Sequence, residues 1–93
     1  MKAVFNGQVI AQSDKTKIVE GNHYFPPDSI VKKHYHPSDD HTLCFWKGTA
    51  SYYNLEANGK QAANAAWYYP KPSEAAKDIK NYVAFYDHLV EVR

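Results

Sequence analysis

The chain has 93 residues, a net charge of +1, one cysteine and an aromatic share of 15 %, with eight tyrosines. That length gives one small domain, 1–93, with a modest core, and the scattered, nearly balanced charge excludes the basic stripe that a nucleic-acid surface needs. No apolar run is long enough to span a membrane, Met1-Lys2-Ala3-Val4 is no signal-peptide start, and the lone Cys44 excludes an intrachain disulfide, so the expected setting is the reducing cytoplasm.

Taken in order, residues 2–5, Asn6-Gly7 and residues 8–11 read as a β-hairpin. Asn-Gly suits the two positive-φ positions of a type I′ turn, whose twist matches the flanking strands. Ala3 and Phe5 on one strand, with Val9 and Ala11 on the other, form the expected alternating pattern. Ser13-Asp14-Lys15 turns the chain into a short strand over 16–20, and Gly21-Asn22 turns it back into His23-Tyr24-Phe25. Pro26-Pro27 ends that strand, and Pro27-Asp28-Ser29 predicts a single helical turn, since proline is tolerated where helical N–H groups lack partners.

Residues 30–36 read as a strand with Val31, Lys33 and Tyr35 on one face and Lys32, His34 and His36 on the other. Pro37-Ser38-Asp39-Asp40 is the predicted loop before strands over 42–46 and 49–55, with Gly48 as a kink or bulge. Asn58-Gly59 is a second hairpin turn, which decides in favour of strand for the alanine-rich 60–69 despite its helix propensity. Pro70-Lys71-Pro72 ends it. Ser73 is placed to cap a short helix through residue 77, with Glu74 in its first turn. Residues 81–86 and 89–93 form a last predicted hairpin around Asp87-His88. The fold class is therefore mainly β, because aromatic and β-branched residues suit a pleated surface. The expected form is a compact antiparallel domain of twisted hairpins, open-barrel or tent-like, with one or two short helices.

Several of these residues recur in a known order. Asn6-Gly7, Val9-Ile10-Ala11 and Ser13 are followed by Tyr24-Phe25-Pro26. Next come Thr42, Cys44, Trp46-Lys47-Gly48, Ala50 and Tyr52, then Asn64, Ala66-Trp67, Tyr69-Pro70 and Pro72, and finally Ile79 and Val83-Ala84-Phe85-Tyr86. In this pattern the chain resembles the domain-of-unknown-function 427 family, small β-rich proteins sometimes labelled nucleotidyltransferase-like. The resemblance implies a compact antiparallel β domain and names no established reaction. Phe45 stands where the family commonly has proline, and His34 and His36 lie outside its motif positions.

The segment 42–53 gathers the residues best suited to chemistry. A strand would place His34 and His36 on one face, with His41 and Cys44 close behind, and imidazole and thiolate both suit zinc. Paired Cys or His knuckles are absent and Lys32 would share that face, so the three histidines are metal candidates read in the first instance as solvated or hydrogen-bonded groups. No cofactor is expected. Cys44 becomes a nucleophile only if a cation such as Lys47 stabilises its thiolate, and free cysteines are often buried. Lys47-Gly48 lacks the glycine-rich approach of a phosphate loop. The favoured reading of the pair is an exposed strand lysine beside a bulge. Lysine can still meet an anion as a point charge.

Trp46, Tyr52, Tyr53, Trp67, Tyr69, Phe85 and Tyr86 must supply core, and one or two at a cleft edge would make a stacking platform. The expected function is binding of a small anionic or planar ligand in an aromatic cleft around Lys47 and Trp67. Lys47 is the anion contact, Trp46 and Trp67 the walls, Tyr52 and Tyr69 the hydrogen-bonding rim, with Cys44 and Gly48 beside them. Two alternatives stand next to it. One is an enzyme, of nucleotidyltransferase type or with a reactive Cys44, for which Asp39-Asp40 is the only tight acidic pair. The other is a protein-interaction or homo-oligomerising module.

Overall fold

Three tight turns of the chain are built alike. In the computed structural model, which describes residues 1–93, Asn6-Gly7 has φ of 50° and 79°, Glu20-Gly21 has 54° and 80°, and Asn58-Gly59 has 52° and 81°. All three pairs have the double positive φ of type I′ turns. The first and third are the Asn-Gly hairpins expected from sequence. The second lies one residue earlier than Gly21-Asn22. It places a glutamate in the left-handed region, which costs a side-chain-bearing residue about 1–2 kcal/mol.

These turns connect β1 (Lys2–Phe5) to β2 (Gln8–Gln12), β3 (Lys17–Val19) to β4 (Asn22–Tyr24), and β6 (Gly48–Ala57) to β7 (Lys60–Tyr68). The remaining strands are β5 (Tyr35–Cys44), β8 (Val83–Phe85) and β9 (Glu91–Val92). The main sheet runs β5-β6-β7-β8, all antiparallel. Val83 and Phe25 exchange both backbone hydrogen bonds, at 2.8 and 2.9 Å, and so tie the β3–β4 ribbon to the β8 edge. A second sheet, β2-β1-β9, packs over one face, and neither sheet closes into a barrel. The fold is thus mainly β and antiparallel, with three short 3-10 helices at Pro27–Ser29, Lys32–His34 and Glu74–Ile79. None of these helices is long and apolar enough to cross a membrane.

The main sheet carries a core on each face. Toward the second sheet lie Phe5, Ile10, Phe25, Leu55, Val83, Phe85 and Val90 with several alanines. On the opposite face lie Tyr24, Ala50, Tyr52, Trp67, Tyr69, Ala76, Ile79 and Ala84, against which the Glu74–Ile79 helix packs. Side chains alternate across a strand, so Tyr53, Leu55 and Ala57 of β6 serve the first core while Ala50 and Tyr52 serve the second.

Several expected elements differ. Residues 30–36 are not one strand: Lys32–His34 form a 3-10 helix, and β5 begins only at Tyr35. The predicted loop at Pro37-Ser38-Asp39-Asp40 belongs to β5 instead, as a bulge. Pro37 pairs with Tyr53 and His41 with Ser51, which leaves three residues opposite one. In β2 another bulge makes both Ile10 and Ala11 fully buried and leaves Val9 partly exposed, because Ala3 pairs with Ala11 but Val4 pairs with Val9. The last hairpin does not form: β8 joins β7, while β9 crosses to β1, with Arg93 and Lys2 exchanging backbone bonds of 2.7 and 2.9 Å. Asp87-His88 is therefore a link between sheets. The alanine-rich segment is a strand as expected, interrupted by a bulge at Asn64 (φ 53°), whose N–H donates to Asn54 Oδ1 at 2.9 Å.

Candidate functional site

The two strands expected over 42–46 and 49–55 pair with each other as β5 and β6, and residues 42–48 are the tip of that hairpin. β5 stops at Cys44, residues 45–47 turn, and Gly48 opens β6 with φ of +113°. A Cβ on Gly48 would stand 3.2 Å from the Lys71 carbonyl oxygen and 3.5 Å from Pro72 Cα. Glycine is needed there for both reasons, a backbone that side chains disfavour and a chain that passes too close. The chain in question is the Pro70-Lys71-Pro72 segment. Ser73 fastens it: its N–H donates to the Lys47 carbonyl at 2.9 Å, and its hydroxyl donates to the Trp46 carbonyl. Ser73 precedes the Glu74–Ile79 helix as expected, but its hydroxyl serves the hairpin tip instead of capping that helix.

Because β5 ends at Cys44, Lys47 lies in the turn and not on a strand face. It is buried, at 6 % relative exposure, and is the only charged residue that is. The expected exposed strand lysine is corrected accordingly. Its ammonium pairs with the Glu20 carboxylate and lies 5.3 Å from the Trp46 ring centre and 5.5 Å from that of Tyr69. Burial disfavours the charged form, but the Glu20 hydrogen bond and charge, with Tyr24 and Tyr69 near, outweigh it and raise the Lys47 pKa. The same hydrogen bond holds the Glu20 carboxyl below its usual range. The I′ turn that strains Glu20 is thus what carries its carboxylate to Lys47.

Around this pair the predicted aromatics do converge. Trp67 Nε1 donates to the Tyr24 hydroxyl at 3.0 Å, the two rings meeting edge to face at 6.2 Å. Tyr86 lies tilted over Trp67 at 4.6 Å, and the Tyr52 hydroxyl bonds Thr42 Oγ1 at 2.7 Å. Burial raises the Tyr69 pKa against the opposing pull of Lys47. The hydroxyl of Tyr52, together with burial, pushes Tyr86 to about 12. Cys44 and Trp46, both half-buried, pack on the edge of this layer. Tyr24, Tyr52, Trp67 and Tyr69 are buried against one another, and none of them lines the concavity beside this layer. That concavity, about 250 Å³, lies between β3 and the Glu74–Ile79 helix and is walled by Val19, Trp46, Ala76 and Ile79, with Lys17, whose ammonium donates to the Asp78 carbonyl at 2.7 Å, also on its lining. Trp46 alone of the predicted set lines it; Tyr52, Trp67 and Tyr69 form the layer next to it.

The three histidines separate. His34 is in the Lys32–His34 helix and its Nδ1 meets the Glu56 carbonyl at 2.8 Å; His36 Nε2 lies 3.5 Å from Glu56 Oε1; His41 Nδ1 bonds Ser51 Oγ at 3.2 Å. The shared strand face drawn for His34 and His36 is corrected by that helix, and no three metal-ligating side chains come together. Glu20, Tyr24 and Ser73 are the site residues that sequence reasoning missed. Only the Glu-Gly dipeptide, as a turn with a charged first residue, could have pointed to one of them.

No curated protein matches the sequence. A domain of unknown function (DUF427) matches it from end to end, over residues 1–93, and the chain belongs to that family.

Proposed function

We propose that this domain binds a small planar compound bearing a carboxylate or phosphate. Its flat body lies against Trp46 in the groove between β3 and the Glu74–Ile79 helix, and its anion takes the place of the Glu20 carboxylate on Lys47. One observation carries the reading: the only buried charge of the molecule is a lysine bracketed by two aromatic rings, with its counter-ion on a separate ribbon. β4 anchors the ribbon through Tyr24, but β3 has no fully buried residue and pairs only with β4, so the turn that carries Glu20 is its lightly held end. Glu20 is 53 % exposed, so releasing it to water carries little desolvation penalty, whereas a second anion would gain a cation already stripped of solvent. Trp46 supplies the face on which a flat ring stacks.

The test is a thermal-shift screen with aromatic carboxylates and nucleoside monophosphates against their neutral counterparts, followed by titration of tryptophan fluorescence. A ligand selective for the folded chain raises the melting temperature. Glu20→Gln, which removes the internal competitor, is expected to bind such a ligand more tightly, and Lys47→Met to lose it. Binding that survives Lys47→Met, or a panel with no anionic hit, overturns the reading. The enzymatic alternative is separated by nucleotide-turnover assays on Lys47→Ala and Asp40→Ala: an enzyme loses rate, and a binder has none to lose.

A further inference from the structure

Distinct from the Lys47 groove is a concavity of about 410 Å³ on the main sheet, lined by His36 of β5, Asn54 and Glu56 of β6, and Gln61 and Ala63 of β7. We propose that it is a binding site for a primary alkylammonium group, with Glu56 as its counter-ion.

The Glu56 side chain is held from two strands and its backbone from the Lys32–His34 helix. Its backbone carbonyl meets His34 Nδ1 at 2.8 Å, its Oε1 lies 3.5 Å from His36 Nε2, and its Oε2 accepts from Gln61 Nε2 at 3.2 Å. A surface glutamate usually keeps its rotamer freedom; this one is positioned while its side chain stays 46 % exposed. No lysine or arginine lines the concavity to neutralise it. The nearest in sequence, Lys60, sits over the Phe5 ring, 5.9 Å from its centre. The site therefore presents a carboxylate with no lysine or arginine partner. Gln61 turns one amide N–H to Glu56, and its carbonyl oxygen is left as a second acceptor. An ammonium, with three donors and no acceptor, fits that pair, and an anion does not. The rest of the wall is hydrocarbon: Ala62, Ala63 and the stems of Glu56 and Gln61, against which a short alkyl chain packs.

The backbone beneath departs from a regular ladder. β6 and β7 lose register between Leu55↔Ala62 and Tyr53↔Ala66, Asn64 takes a left-handed conformation, and its Oδ1 is buried without a partner. Bulges gather next to sites because they re-aim side chains, and a buried acceptor without a partner beside one calls for an explanation. The bulge ties Asn54 Oδ1 to the Asn64 N–H at 2.9 Å and so fixes the Asn54 side chain on the wall of the concavity.

The experiment is a titration of the whole domain, followed by amide chemical shifts, with n-butylammonium, n-butyrate and n-butanol. An arm with N-acetyl-lysine methylamide tests whether a lysine side chain serves as well as a free amine. The expected result is saturable shifts at Asn54, Glu56, Gln61 and Ala63 with n-butylammonium, absent with the anion and the alcohol. Glu56→Gln should weaken binding at least tenfold, and Gln61→Met, which keeps the stem and removes the second acceptor, severalfold. His36→Ala should leave it unchanged or tighter, since Glu56 Oε1 is then free. No saturable shift, equal shifts with butyrate or butanol, or saturation that survives both Glu56→Gln and Gln61→Met overturns the proposal. The ligand here is a cation and the residues differ, so failure at this site leaves the Lys47 reading untouched.

Discussion

The two faces of the main sheet are packed to different ends. Under β1, β2 and β9 the interior is hydrocarbon, and its one buried hydroxyl, that of Tyr35, is satisfied by the Ile10 carbonyl at 2.9 Å. On the other face three buried tyrosines, a tryptophan and a lysine share a smaller core with three alanines and Ile79, so that hydroxyls, an indole N–H and a charge lie among the rings. The first face holds the sheets together. The second keeps hydrogen-bonding groups inside a domain too small to hold them without reason, since each needs a partner. Stability is concentrated on one side of the sheet and chemistry on the other.

The sharpest way to break that comparison is to delete one ring from each side. Phe25 is fully buried and its backbone carries the Val83 bridge; Phe25→Ala is expected to lose about 3–5 kcal/mol in urea denaturation. Trp46→Ala, at the half-exposed edge of the second face, should lose about 1 kcal/mol, because little transfer energy is at stake. Equal losses would mean that the second face holds the fold as firmly as the first.

Glycines give the next contrast. Gly48→Ala meets the Lys71 carbonyl at 3.2 Å in a positive-φ backbone and is expected to cost about 2–3 kcal/mol, partly by lifting the hairpin tip off Ser73. Gly59→Ala has nothing within 4 Å and should cost about 1 kcal/mol, from its φ alone. Melting curves of the two variants decide it. A loss at Gly48 no greater than at Gly59 would show that the tip moves freely.

Alkaline pH acts on both faces. Burial raises Tyr35 on the first, and on the second Lys47, Tyr69 and Tyr86 are raised, Tyr86 to about 12. Unfolded, these groups lose their protons from about pH 10 upward while the folded chain keeps them, so the unfolded state binds fewer protons and stability falls as pH rises. The melting temperature should be flat up to pH 9 and drop between pH 10 and 12. Tyr35→Phe should lessen that drop, and a drop unchanged in this variant would remove Tyr35 as a contributor.

How much of this was legible in the residues follows from the range of each signal. Turns are local, so Asn6-Gly7 and Asn58-Gly59 announced two hairpins, and the aromatics of β6 and β7 announced a shared layer because one hairpin sets their register. Bulges and sheet exchange are not local. Nothing in Val9-Ile10-Ala11 says that two adjacent residues will both be buried, and nothing in 81–93 says that β9 will leave β8 for β1. Lys47 shows the same limit at the site. Its burial depends on β5 ending three residues before it, on Ser73 holding the turn, and on a carboxylate 27 residues away. Residue type gave the chemistry; only the tertiary contacts gave the partner.

The smallest effect bears most directly on that partner. Glu20 has a lowered pKa because Lys47 hydrogen-bonds its charged form. A depressed carboxylate contributes stability that is present above its unfolded pKa, near 4.5, and is lost as pH falls through the lower folded value. At pH 7 Glu20→Gln should therefore melt below the wild type, since it leaves a buried ammonium with a neutral partner. Taken from pH 7 toward pH 3, the wild type should lose its advantage, and the two melting temperatures should converge as Glu20 is protonated. Glu74→Gln supplies the control: its bridge to Lys77 is exposed at both ends, so it should barely change the melting temperature at either pH. If the gap between Glu20→Gln and wild type stays constant across the acid range, the pair does not titrate as a unit. The second face would then hold its lysine through the rings of Trp46 and Tyr69 rather than through the carboxylate at the tip of the β3–β4 ribbon.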